Sequence, residues 1–103
     1  MTPIAVNAFE IEPAGSLDRI QVFLVDSARY KGSITITCWG CAWTAYFGGM
    51  MCPTIREFVL MIDVGYLVDK LGINPTLKQR KQDMAYLTRI VEAVKGALKA
   101  VPE

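Results

Sequence analysis

Two cysteines three positions apart, in Cys38-Trp-Gly-Cys41, are the residues of this chain best placed to do chemistry. A C-x-x-C pair can supply half of a tetrahedral zinc site or form a dithiol redox couple. Zinc takes four ligands, whereas this chain has three cysteines in all (Cys52 is the third) and no histidine. A redox pair of the thioredoxin kind sits at a helix N-terminus, where the dipole favours the thiolate. Here the pair lies between two strand-like runs. The absence of histidine also removes histidine general bases, Ser-His-Asp and Cys-His nucleophile systems, and histidine metal ligands. Glu10 and Glu12 share a strand face, but spacing brings no third acid or tyrosine to them. No catalytic constellation is legible. The expectation is a non-enzymatic protein with no cofactor and no metal.

A structural reading accounts for the cysteines more fully. With Trp39-Gly40 as a two-residue loop, Cys38 pairs with Cys41, Ile36 with Trp43, and Ile34 with Ala45, all on one apolar face. The other face pairs Thr37 with Ala42, Thr35 with Thr44 and Ser33 with Tyr46, and is more polar. One register sorts both strands, as a side-chain period of two requires. Glycine suits the second loop position, while tryptophan at the first is unusual for a positive φ, so a longer loop or a bulge at Gly40 stays open. Both thiols are then expected reduced and at least half-buried, and Trp43 is expected in the core.

Three further groups invite a functional reading. Trp39 and Tyr46 fall outside the inward set, and large amphipathic rings of this kind anchor protein contacts. The alternative for Trp39 is packing under a helix or a loop. Lys78, Arg80 and Lys81 form the densest basic patch, at the start of a helix, where positive charge opposes the dipole. It reads as a phosphate contact or as a solvated helix face. Gly48-Gly49 precedes a helix start and could cradle an anion. No complete phosphate-binding motif accompanies it, so a plain turn is the simpler reading.

These residues must be positioned by two kinds of element. Residues 9–12, 19–25, 33–39 and 42–47 read as strands, by alternation or by isoleucine–threonine composition. Phe23 and Val25 interrupt the polar face of the second, which predicts a central strand covered on both sides. The short connections force antiparallel neighbours. Thr54-Ile-Arg-Glu57 fits a capping box opening a helix at Ile55. Asp63 and Gly72 bracket a second helix over 64–71. Asn74-Pro75 opens a third, running to Ala100, whose apolar positions Leu77, Met84, Leu87, Val91, Val94, Leu98 and Val101 form a seam. Ile90 and Ala97 widen that seam, which favours a cover for the sheet over helix pairing between subunits. The layout predicts an α+β fold: an N-terminal antiparallel meander of about four strands (about 8–47), then two or three C-terminal helices (about 55–101) packed on one face.

The chain has 103 residues and a net charge of +1, which fits a single domain over 1–103 with no global pull on nucleic acid or anionic membrane. Residues 1–63 carry six acids and four bases, net −2; residues 64–103 carry four acids and seven bases, net +3. There is no basic-then-apolar leader at the N-terminus and no apolar run that could span a bilayer. An odd number of cysteines, three, fits reduced thiols in a cytoplasm.

The stretch Ile34-Thr-Ile-Thr-Cys-Trp-Gly-Cys-Ala-Trp-Thr-Ala-Tyr-Phe-Gly-Gly-Met50 resembles a family of small temperate-phage and prophage proteins. The match continues through Thr54-Ile-Arg-Glu-Phe58, Asp63, Tyr66-Leu67 and Asp83-Met-Ala-Tyr-Leu87, covering roughly residues 17–98. The shared pattern centres on Cys38, Trp43, Thr44 and Tyr46 and does not need a cysteine at 41, which weakens the metal reading further. The resemblance implies a phage setting and supplies no catalytic residue. The function expected is an accessory protein, a monomer or homodimer, that binds a host protein through Trp39 and Tyr46. Its most concrete form is an inhibitor of a bacterial defence complex, as anti-CRISPR proteins are. The alternatives are a nucleic-acid-binding or regulatory protein using Lys78, Arg80 and Lys81, and a thiol redox or metal protein at Cys38 and Cys41.

Overall fold

The computed structural model describes residues 3–12, 19–38, 40–72 and 81–100, with the backbone alone for 81–83. Strands β1 (Asn7–Ile11), β2 (Ile20–Ala28), β3 (Lys31–Cys38) and β4 (Cys41–Phe47) precede helices α1 (Ile55–Met61), α2 (Val64–Leu71) and α3 (Lys81–Ala100). The strands form one antiparallel sheet in the order β1-β2-β3-β4. This is the expected α+β meander followed by helices. The start of the third helix at Asn74-Pro75 lies outside the described residues.

The register of β3 and β4 follows the side-chain alternation: Cys38 opposes Cys41, Ile36 opposes Trp43, Ile34 opposes Ala45, and Ser33 opposes Tyr46. Gly40 has φ 75°, the left-handed conformation that glycine adopts without a Cβ clash. Ile20, Val22, Leu24, Ile34, Ile36, Cys38, Ala45 and Phe47 make the buried face of the sheet. Each fully buried aliphatic side chain contributes about 1.5–3 kcal/mol relative to exposure.

The helices close over that face. Ile55, Phe58 and Val59 of α1, Leu67, Val68 and Leu71 of α2, and Leu87, Ile90, Val91, Val94 and Leu98 of α3 complete one continuous core. The apolar seam of α3, Ile90 included, is therefore spent on its own sheet and its neighbouring helices rather than left for a partner helix. Thr54 caps α1 by accepting from the Glu57 amide at 3.3 Å. Asp63 occupies the N-cap position of α2 without a side-chain capping bond.

A junction between sheet and helices was not legible in the sequence. β2 and β3 are joined through Arg29 and Tyr30, with a register shift between Asp26 and Ala28. Tyr30 adopts φ 67°, and its backbone is held by Pro53 O at 3.3 Å and Met50 N at 2.9 Å. Asp26 Oδ1 accepts from the Ile55 amide at 2.7 Å, adding a second cap to α1 from a distant strand. At Gly32 an added Cβ would lie 2.8 Å from Val25 O and 2.9 Å from Ile55 Cβ, so glycine lets the helix start sit directly on the sheet.

One expectation is corrected here. β2 is central, but the helices cover only one of its faces. Phe23 and Val25 stay half-buried on the opposite face, where the described residues supply no second layer.

Candidate functional site

The uncovered face of the sheet is built by the alternate residues that the core does not take. The register places Glu10 beside Gln21, then Phe23 and Val25 on β2, Ser33, Thr35 and Thr37 on β3, and Ala42, Thr44 and Tyr46 on β4. Its centre is a line of hydroxyls. Thr35 Oγ1 and Thr44 Oγ1 are 3.0 Å apart, and Thr37 Oγ1 donates to Gln21 Oε1 at 3.3 Å. One corner is charged: Arg19 Nε lies 3.6 Å from Glu10 Oε1, and an Arg19 terminal nitrogen lies 3.9 Å from Glu12 Oε2. Such exposed pairs add little stability. Between the ionic corner and the far end, where exposed Lys31 stands near Tyr46 (63% exposed), the face is uncharged and mixes hydroxyls with aromatic carbon.

Tyr46 thus stands where the sequence places it, outward and in solvent. Trp39, Lys78 and Arg80 lie outside the described residues. Lys81 opens α3, with only its backbone placed.

The thiols separate sharply. Cys38 is buried, with its Sγ 3.4 Å from the Tyr86 hydroxyl of α3. Cys41, expected to be at least half-buried, is exposed, and that expectation is corrected. Both alternate toward the helix side, but Cys41 begins an edge strand beside the hairpin turn and stays exposed, so alternation alone misjudges it. A cleft of about 420 Å³ lined by Arg19, Gln21, Thr37, Cys38, Gly40 and Cys41 opens at this corner. Cys52 is half-buried, with its Sγ 3.7 Å from Met61 Sδ. Among the described residues no three Cys, Asp or Glu side chains come together as a metal site.

Trp43 does reach the helical layer, its ring centroid 6.4 Å from that of Tyr86, but it is half-buried where the core placement implied more. The turn reading of Gly48-Gly49 fits the geometry. The first amides of α1 are taken by the Asp26 carboxylate and the Thr54 hydroxyl, and a carboxylate already there repels an incoming anion.

Several exposed apolar side chains had no sequence reading: Met51 at 84%, Met61 at 51% and Tyr66 at 45%. Tyr66 stacks against Phe47 at 6.5 Å, and Lys70 Nζ sits 5.4 Å from its ring centre. A pair of methionines flanking a helix was the available signal for the first two.

Compared with known proteins, residues 2–84 match the family model Phage_phiTE_072, described as a Phage family. The chain belongs to that phage family. The match takes in all four strands, α1, α2 and the first turn of α3, so it covers the whole uncovered face. No curated protein and no solved structure matches this phage protein. No helix among its described residues is long and apolar enough to cross a membrane.

Proposed function

We propose that this phage protein is a non-enzymatic accessory factor that binds a protein of the bacterial host in the cytoplasm. Inhibition of a host defence complex is its most concrete form. The observation that carries the reading is the sheet face, whose uncharged centre is lined by Thr35, Thr37 and Thr44 and ends in exposed Tyr46. Protein contacts favour such surfaces: an aromatic anchor, adaptable hydroxyls and few charges to desolvate. Membership of a phage family supplies the setting. The histidine-free composition supports binding over hydrolytic catalysis.

The experiment is affinity capture from a host lysate with the parent and Tyr46→Ser side by side, followed by mass spectrometry. A defence component retained by the parent and lost by the variant supports the reading. Equal retention by both removes the sheet face from it, and a clean negative across defence complexes overturns it. Salt-sensitive DNA or RNA binding that depends on Lys78, Arg80 and Lys81 would favour the nucleic-acid reading instead.

A further inference from the structure

The two edges of the sheet are built differently. β1 is five residues long, carries Glu10, and has Glu12 and Arg19 paired alongside it. Charge of this kind keeps a free edge from recruiting another strand. β4 is seven residues long and reads Cys-Ala-Trp-Thr-Ala-Tyr-Phe, with no charge, proline or glycine. It carries none of the protections that β1 has.

Its backbone groups can be assigned. Cys38 and Cys41 flank a two-residue turn and so form a hydrogen-bonded pair. Alternation then turns the amides and carbonyls of Trp43, Ala45 and Phe47 toward β3, and those of Ala42, Thr44 and Tyr46 outward. Among the described residues nothing bonds to these outward groups. All three residues are exposed.

We propose that this edge pairs with the same edge of a second copy, antiparallel, about a two-fold axis at Thr44. The sequence of the strand is self-complementary in that register. Thr44 meets Thr44 of the partner subunit, and the six outward-facing residues of the two strands satisfy one another reciprocally. Tyr46 falls opposite the partner's Ala42, Trp43 opposite the partner's Ala45, and Phe47 opposite the partner's Cys41. Every large side chain faces a small one, so neither side of the ladder is crowded or hollow. A closed two-fold arrangement uses the same patch twice and leaves no second β4 edge open to growth. The result is one eight-stranded sheet, and its uncovered face becomes continuous across both copies. This goes beyond host binding and stands without it.

Sedimentation at rising concentration tests mass, and hydrogen exchange at the same concentrations tests place. The expected result is a shift from 11.4 kDa to twice that mass. It should be accompanied by about tenfold or greater slowing of exchange at the Ala42, Thr44 and Tyr46 amides. Thr44→Lys, which sets two ammonium groups opposite each other, should abolish the shift while far-UV spectra stay unchanged. An equimolar mixture of Thr44→Lys and Thr44→Asp should restore it. A protein that stays at 11.4 kDa throughout overturns the proposal. So does a dimer whose three amides exchange freely, which would place the contact on the helices. Protection that appears only when another protein is added assigns the edge to a foreign strand and overturns it as well.

Discussion

Cys38 Sγ and the Tyr86 hydroxyl meet at 3.4 Å, tying the buried end of β3 to the N-terminal third of α3, while Cys41, directly across the hairpin, faces water. The two thiols therefore differ in both reactivity and structural weight. A thiol reagent added to the folded protein should label Cys41 at once, Cys52 more slowly, and Cys38 only as fast as the chain opens. Cys41→Ser should change stability by less than about 0.5 kcal/mol, as at an ordinary surface site. Cys38→Ser should cost about 1–2 kcal/mol by placing a hydroxyl on an apolar face. Equal labelling rates for Cys38 and Cys41 would contradict this arrangement.

Gly32→Ala should destabilise by about 1–3 kcal/mol. The new methyl group would meet a backbone carbonyl at 2.8 Å and Ile55 Cβ at 2.9 Å, and neither is the loose end of a flexible side chain. Urea melts of the variant would read the loss. Gly49→Ala, where an added Cβ meets nothing within 4 Å, is the matched control and should leave the midpoint nearly unchanged.

Asp26→Ala should cost about 1–2 kcal/mol, the range for losing a helix cap. Its carboxylate accepts the Ile55 amide at 2.7 Å, and a methyl group cannot. Thr54→Ala removes the neighbouring cap at Glu57. The two serve the same helix turn, so the double variant should lose less than the sum of the singles, and a thermal-melt cycle of four proteins measures the coupling. Strict additivity would show that the caps act independently.

Lys95 donates to the Ile62 carbonyl at the end of α1. Burial, and then the nearby Lys99, push its pKa below the ordinary lysine value, while Asp63 opposes the shift. The folded chain then releases this proton at a lower pH than the unfolded chain does. Between those two values the unfolded state binds more protons, so stability contributed here rises with pH. The difference in stability between the parent and Lys95→Met should accordingly move in the parent's favour as pH climbs into that alkaline window. A difference that stays flat would show that the ammonium group is not desolvated.

The sequence disclosed most where neighbours are close along the chain. The Cys38–Cys41 hairpin register, the Thr54 cap and the span of α2 are all set by residues within a few positions of one another. What it hid depends on contacts across the fold. Asp26 gives no sign that it will cap a helix 29 residues away, because only the finished packing brings the two together. Cys41 was placed inward by alternation, which gives the face of a strand residue but not its exposure at the end of an edge strand. Of the proposed contact surface, Tyr46 was singled out in advance as an outward anchor and is exposed.

Strand order along the sheet equals strand order along the chain, and this governs the time course of assembly. Each sheet contact closes a short loop, whereas Arg56 reaches Leu98 across 42 residues and Lys95 reaches Ile62 across 33. Short closures cost less entropy and are made sooner. On a ribosome the meander can therefore emerge and pair before α3 has left the exit tunnel. For that interval its apolar face lies bare beside an uncharged β4 edge, and synthesis carries its greatest risk of aggregation. The emergence of α3 ends that interval.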